Sequence, residues 1–220
     1  MIQGALFDMD GVLFDTERVH GEIQKIVSLE MDAPFPDEMI SQVYGSNHES
    51  YVKLVRKYIG EAFDLDYFLK ECRKRIYEKM DREGIPVKPG VQTLLEYLKE
   101  NKYRVAVASS SHISVIQHYL SLSGLEHYFD SLIGGNMVSV SKPNPEIFIA
   151  AADTLGFETA QCIAIEDSFN GIKSAHAAGC ITFMVPDIMQ PTEDIKLLCH
   201  YIFNSLEEIP AYLKEYYPSI

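Results

Sequence analysis

The run Ile2–Phe7 is almost wholly apolar and stops at Asp8, which predicts a buried strand. Similar apolar runs recur at Tyr103–Ala108, Ser131–Ile133, Gln161–Ile165 and Ile181–Val185, with a weaker one at Tyr201–Phe203. Between them, apolar residues at helical spacing predict helices over Val91–Asn101, Ile113–Ser123, Pro145–Leu155 and Asn170–Ala178, and a last one from Leu206. Strands separated by helices of this length form βαβ units, hence a parallel sheet covered on both faces.

From about Thr16 to Met80 the pattern changes. No strand-like run appears there. Val19, Ile23, Ile26 and Val27 follow one helical stripe, and Tyr51, Leu54, Val55 and Tyr58 another. Tyr67–Met80 makes a third helix rich in Lys, Arg and Glu, and Pro34 and Pro36 break the chain between the first stripe and the second. The segment Gly84-Ile85-Pro86-Val87-Lys88-Pro89-Gly90 is a stiff, turn-rich connector. The predicted architecture is α/β: a Rossmann-like parallel sheet core formed by 1–14 and 86–220, with a small α-helical cap domain, 15–85, inserted after the first strand.

Composition narrows the function classes. With 47% hydrophobic and 23% charged residues, the chain is ordinary for a soluble globular protein. No apolar run approaches the roughly 18 residues that would span a membrane. Asp8 and Asp10 interrupt the early apolar stretch, so no secretory signal is expected and the default compartment is cytoplasmic. Cys72, Cys162, Cys180 and Cys199 are widely spaced, which argues against zinc or a disulfide framework. The net charge of −13 argues against a nucleic-acid partner. An anionic substrate would need local positive charge, from a metal or a few placed cations. The acidic surface, without an obvious apolar patch, predicts a monomer.

The chemistry gathers where the strands end. Asp8-Met9-Asp10-Gly11 puts two carboxylates at the exit of the first strand, with a glycine that lets the backbone turn. The second strand ends in Ser109-Ser110-Ser111, a hydroxyl run suited to phosphate oxygens or to capping the next helix. Lys142 comes after the third strand, before Pro143, and Glu166-Asp167-Ser168 after the fourth. In open parallel sheets, functional residues collect beyond the carboxyl ends of strands. All four polar groups are therefore expected at one edge.

In this order and spacing the motifs resemble the haloacid-dehalogenase superfamily of phosphotransferases, in its β-phosphoglucomutase-like branch. The matching residues are Asp8-Met9-Asp10-Gly11-Val12, Val107 to Ser111, Lys142-Pro143-Asn144-Pro145 and Ile165 to Ser168; Asp15-Thr16 and His20 also have counterparts. The resemblance implies that Asp8 is a nucleophile forming an aspartyl-phosphate and that Asp10 moves protons to and from the leaving group and water. It implies a Mg²⁺ cofactor held by Asp8, the Asp10 backbone carbonyl and Asp167, with Glu166 supporting. Ser109, Ser110 and Lys142 would bind the phosphoryl group, and Thr16 and His20 would serve the hinge.

The same motifs serve phosphatases and sugar phosphomutases. A mutase needs a second anion site, which in that branch is an arginine on a cap loop. Here the comparable stretch is Tyr44-Gly45-Ser46-Asn47-His48-Glu49, with His48 the nearest substitute. The expected activity is therefore hydrolysis of a small phosphorylated metabolite, a sugar or polyol phosphate. Lys53, Arg56, Arg73 and Arg75 are cations that could restore mutase activity. A non-catalytic metabolite-binding module on the same fold is the alternative of another class.

Overall fold

The structure is a computed structural model that describes residues 2–43 and 48–217, leaving aside the side chains of Ser41 and His48. Strand β1 (Gly4–Phe7) is followed by α1 (Thr16–Glu30), α2 (Asp37–Val43), α3 (His48–Tyr58) and α4 (Leu65–Glu83). Then come α5 (Val91–Glu100), β2 (Arg104–Ser109), α6 (Ile113–Ser123), β3 (Ser131–Gly134), α7 (Glu146–Leu155) and β4 (Cys162–Glu166). The chain closes with α8 (Phe169–Ala178), β5 (Ile181–Met184), α9 (Glu193–Lys196), β6 (Tyr201–Ile202) and α10 (Ile209–Tyr216). Its contacts divide it into two units, Met1–Phe14 with Val87–Ile220, and Asp15–Pro86.

In the helical unit, α2 is an element the apolar pattern did not predict. Pro34 and Pro36 read as breakers, yet the Pro36 carbonyl accepts from the Met39 and Ile40 amides and opens the helix. Asp37 and Glu38 then place negative charge in its first turn, where the helix dipole favours it. At the start of α4, Asp64 caps by accepting from the Tyr67 amide at 3.0 Å. The interior is aromatic at one end: the Phe35 and Phe68 rings lie 4.9 Å apart, and Phe63 and Phe68 5.4 Å apart. At its surface the Arg75 fork grips both oxygens of Glu30, at 2.9 and 2.6 Å, tying α4 to α1.

The α/β unit is built on a six-stranded sheet in the order β3-β2-β1-β4-β5-β6, with all pairings parallel. From β1 the chain moves outward to β2 and β3, then returns to the other side of β1 for β4. That reversal makes β1 and β4 a topological switch point, the place where parallel sheets open a crevice. Both strands are buried along their whole length, as the apolar runs require for a sheet covered on both faces.

Side-chain alternation decides how closely the helices approach. Leu6, Ala106, Ala108, Cys162 and Ala164 share one face and pack with Ile147, Phe148, Ala151, Ala152 and Leu155 of α7. The alanines leave room for α7 to settle close, and Phe148 fills the space they leave. The strands match the predicted runs to within a residue or two. Two differences are a short helix, α9, in a segment without clear periodicity, and a 3₁₀ turn at Leu206–Glu208 ahead of α10. The four cysteines are free thiols. Among the described residues no helix is long and apolar enough to cross a membrane.

Candidate active site

Sheet register sets the first contacts. Phe7 pairs with Val107 on one side and Ile165 on the other, so Asp8, one step further, lies level with Ala108 and Glu166. The Asp8 amide still donates to the Ile165 carbonyl at 3.0 Å, which holds its backbone to β4. Beyond it the chain curls over: the Met9 carbonyl accepts from the Leu13 and Phe14 amides, and Gly11 takes φ +85°. That conformation favours glycine. Gly11 also lies against the Asp167 carboxylate, in the space a Cβ would fill.

Lys142 arrives from the loop ahead of α7, and its ammonium is buried. It donates to Asp8 Oδ1 at 2.6 Å, to Glu166 Oε1 at 2.6 Å and to the Ala108 carbonyl at 2.9 Å. A lysine has three N–H donors, so all of them are used. Its nitrogen also sits 4.9 Å above the Phe148 ring, linking the packing of α7 to the placement of the charge. The loop itself is braced. Glu146 accepts from the Ser139 and Val140 amides at 2.8 and 3.0 Å, and Ser174 donates to the Asn144 carbonyl at 2.6 Å. The Lys142–Pro143 peptide is cis.

Glu166 is fully buried, and both its oxygens are engaged. Oε1 takes Lys142, while Oε2 accepts from the amides of Asp167 and Ser168 and from the Ser168 hydroxyl, each at 3.0 Å. Gly171 at the start of α8 leaves the space that this carboxylate occupies. Glu166 thus orients Lys142 and shapes the turn that carries Asp167.

Charge is out of balance here. Burial pushes the Asp8 carboxyl up to about 8; Lys142 pulls it down, and Glu166 and Asp10 push it further up. Burial acts to lower the Lys142 ammonium, but Asp8 and Glu166 outweigh it and hold it above its ordinary value. Both groups are drawn toward protonation, Asp8 chiefly by its burial and Lys142 by the two carboxylates it faces. Asp8, Glu166 and Asp167 each offer an oxygen within 4.8 Å of the others. A set of hard oxygen donors short of positive charge fits Mg²⁺. With Glu166 already engaged, Asp8 and Asp167 are the side chains best suited to hold it.

The hydroxyl run divides its members. Ser109, at the end of β2, is buried and accepts from the Ser111 amide at 3.1 Å, while Ser110 is exposed. Ser111 Oγ donates to Asp10 Oδ2 at 2.9 Å. The sequence does not single out Ser111, because three serines in a row carry no sign of which hydroxyl meets which carboxylate. Asp8, Asp10, Ser109, Lys142, Glu166 and Asp167 belong to the α/β unit, and its strand ends bring them together. Thr16 and His20 lie on α1 of the helical unit, Thr16 fully buried and His20 half-buried. Residues 44–47 and the His48 side chain, which bear on the choice between mutase and phosphatase, lie outside the described residues.

The chain resembles known proteins in sequence and in fold. The phosphorylated carbohydrates phosphatase of Thermotoga maritima is 29% identical over 181 residues, covering 81% of this chain and 82% of its own. Hexitol phosphatase B of Escherichia coli K12 is 28% identical over 226 residues, covering 96% and 95%. The fold matches that of a β-phosphoglucomutase from Clostridium difficile with a TM-score of 0.80 over 98% of this chain and 96% of that one, at 21% identity. The profile of the haloacid dehalogenase-like hydrolases covers residues 5–185, a span that runs from β1 past β5 and takes in every strand-end group described above. The chain is therefore a member of the haloacid dehalogenase-like hydrolase family.

Proposed function

We propose that the protein is a Mg²⁺-dependent phosphatase of a small phosphorylated metabolite, a sugar or polyol phosphate, acting through an aspartyl-phosphate on Asp8. The observation that carries this reading is Lys142 bound at 2.6 Å to both Asp8 and Glu166, with Asp167 alongside. The relatives named as carbohydrate and hexitol phosphatases support the substrate class.

Lys142 holds Asp8 Oδ1, which orients the carboxylate and leaves Oδ2 to attack phosphorus. The bond from phosphorus to the sugar oxygen breaks, and Asp10 gives that oxygen a proton. Asp10 then accepts a proton from water as the water attacks the phosphoryl-aspartate. The bond between phosphorus and Asp8 breaks and inorganic phosphate leaves. Ser109 holds the phosphoryl oxygens, with Ser110 at the rim, and Lys142, whose N–H groups are committed to Asp8, Glu166 and the Ala108 carbonyl, offsets by its charge what develops there. Asp8, the Asp10 carbonyl and Asp167 would hold Mg²⁺, with Glu166 bracing them. Such an ion screens the charge of nucleophile and phosphate.

Hydrolysis is favoured over mutase activity by the engagement of three of the four helical-unit cations that could serve a second anion site. Lys53 pairs with Glu49 at 2.6 Å, Arg56 donates to the Glu61 and Phe63 carbonyls, and Arg75 is held by Glu30 and Glu71. The test is a panel of sugar and polyol phosphates, assayed for phosphate release with and without Mg²⁺ and a bisphosphate primer. Release that needs Mg²⁺ and is lost in Asp8→Asn is the expected result. Conversion of β-glucose 1-phosphate to glucose 6-phosphate faster than phosphate release would overturn the phosphatase reading.

A further inference from the structure

We infer that Ser111 is a positioning residue for the proton-transfer group Asp10, and not a further ligand of the transferring phosphate. The inference rests on the phosphatase reading above and adds to it a residue that acts through Asp10. The two side chains are 101 residues apart in sequence and meet at 2.9 Å, joining the loop after β1 to the loop after β2.

Two backbone bonds make Ser111 a rigid support. Its amide donates to the buried Ser109 hydroxyl at 3.1 Å, and its carbonyl accepts from the Gly135 amide at 2.9 Å. The backbone beneath its hydroxyl is thus pinned from β2 on one side and from the end of β3 on the other. Asp10 is partly buried and lies on a tight curl of the chain, and the Ser111 hydroxyl braces its carboxylate from the neighbouring strand end. The Ser111 bond holds Oδ2 and so restricts rotation of the carboxylate. A proton donor misplaced by about 1 Å can cost on the order of a hundredfold in rate, so one hydroxyl here carries weight.

Position separates the serines. Ser109 is buried at the strand end beside Lys142's anchor, the Ala108 carbonyl, whereas Ser111 lies beyond the turn and faces the acid. A phosphate ligand serves all substrates alike. A support for Asp10 matters most where the leaving oxygen needs a proton.

The test is kcat/KM for an alkyl phosphate, such as a hexitol phosphate, against 2,4-dinitrophenyl phosphate, whose phenolate departs unprotonated. Ser111→Ala should lower kcat/KM for the alkyl ester at least tenfold more than for the aryl ester, and Ser111→Thr should restore most of the difference. In an Asp10→Asn background, Ser111→Ala should add little further loss with the alkyl ester, because residues acting through one another are not additive. Equal losses on both esters, or losses that multiply with Asp10→Asn, would overturn the role assigned to Ser111 while leaving the phosphatase reading intact. A wild-type chain that turns over neither ester would overturn both. Matching thermal melts of the wild-type and Ser111→Ala proteins check that the comparison is not one of folding.

Discussion

Gly11 is packed against the Asp167 carboxylate so closely that a Cβ there would overlap it. The loop after β1 and the loop after β4 therefore meet with no space between them, and only the absence of a side chain allows it. Gly11→Ala is expected to displace Asp167 and lower turnover at least about a hundredfold, in line with the effect of misplacing a catalytic group. The positive φ adds about 1–2 kcal/mol of backbone strain. Gly124→Ala is the control, since φ there is +69° and nothing lies within 4 Å of an added Cβ. It should show the strain in a thermal melt and keep its kcat. Loss of activity in both variants would mean that strain alone, and not the Asp167 contact, explains the effect.

The surplus of carboxylates predicts a stabilising metal. Three oxygens within 4.8 Å of one another, opposed by one ammonium, should gain stability when a divalent cation binds. At free Mg²⁺ about 100 times its Kd the gain is about 2.7 kcal/mol. Melting curves with and without EDTA should separate for the wild type and coincide for Asp167→Ala. A separation that survives in Asp167→Ala would place the ion elsewhere.

Acid should loosen the loop that carries Lys142. The Ser139 and Val140 amides hold the Glu146 carboxyl below its ordinary range. A carboxyl with a lower pKa in the folded state binds fewer protons there, so it stabilises the fold above its unfolded value of about 4.3. That contribution fades as pH falls through the lower, folded value. The melting-temperature gap between wild type and Glu146→Gln should therefore be widest near neutrality and shrink below about pH 4.3. A gap that stays constant with pH would mean that the carboxylate charge is irrelevant to the loop.

The strands were legible in the sequence because a sheet buried on both faces demands uninterrupted apolar runs such as Ile163-Ala164-Ile165. The identity of the strand-end groups was readable too, since Asp8, Lys142 and Glu166 interrupt those runs or come soon after them. Their division of labour was not. That Glu166 commits both oxygens within the protein, and that Ser111 rather than Ser110 meets Asp10, depends on side-chain direction across contacts 24 and 101 residues apart. Helix α2 was hidden for another reason: Pro36 breaks a helix from within but begins one from the edge, and composition does not distinguish the two.

A part-buried ion pair lies outside the motifs. Lys88 donates to Asp187 at 2.6 Å, joining the segment that precedes α5 to the chain just past the end of β5. The Asp187 side chain is 2% exposed and that of Lys88 17%, so the two are not equally costly to strand. Lys88→Met leaves the carboxylate far from water and should cost about 3–5 kcal/mol in urea unfolding. Asp187→Leu leaves an ammonium on a flexible stem that can turn toward solvent, and should cost less. The double variant should recover part of the sum, because it strands neither charge and replaces the pair with apolar packing. Equal single losses that add in the double variant would show that the two residues support the fold independently and that the 2.6 Å contact contributes little.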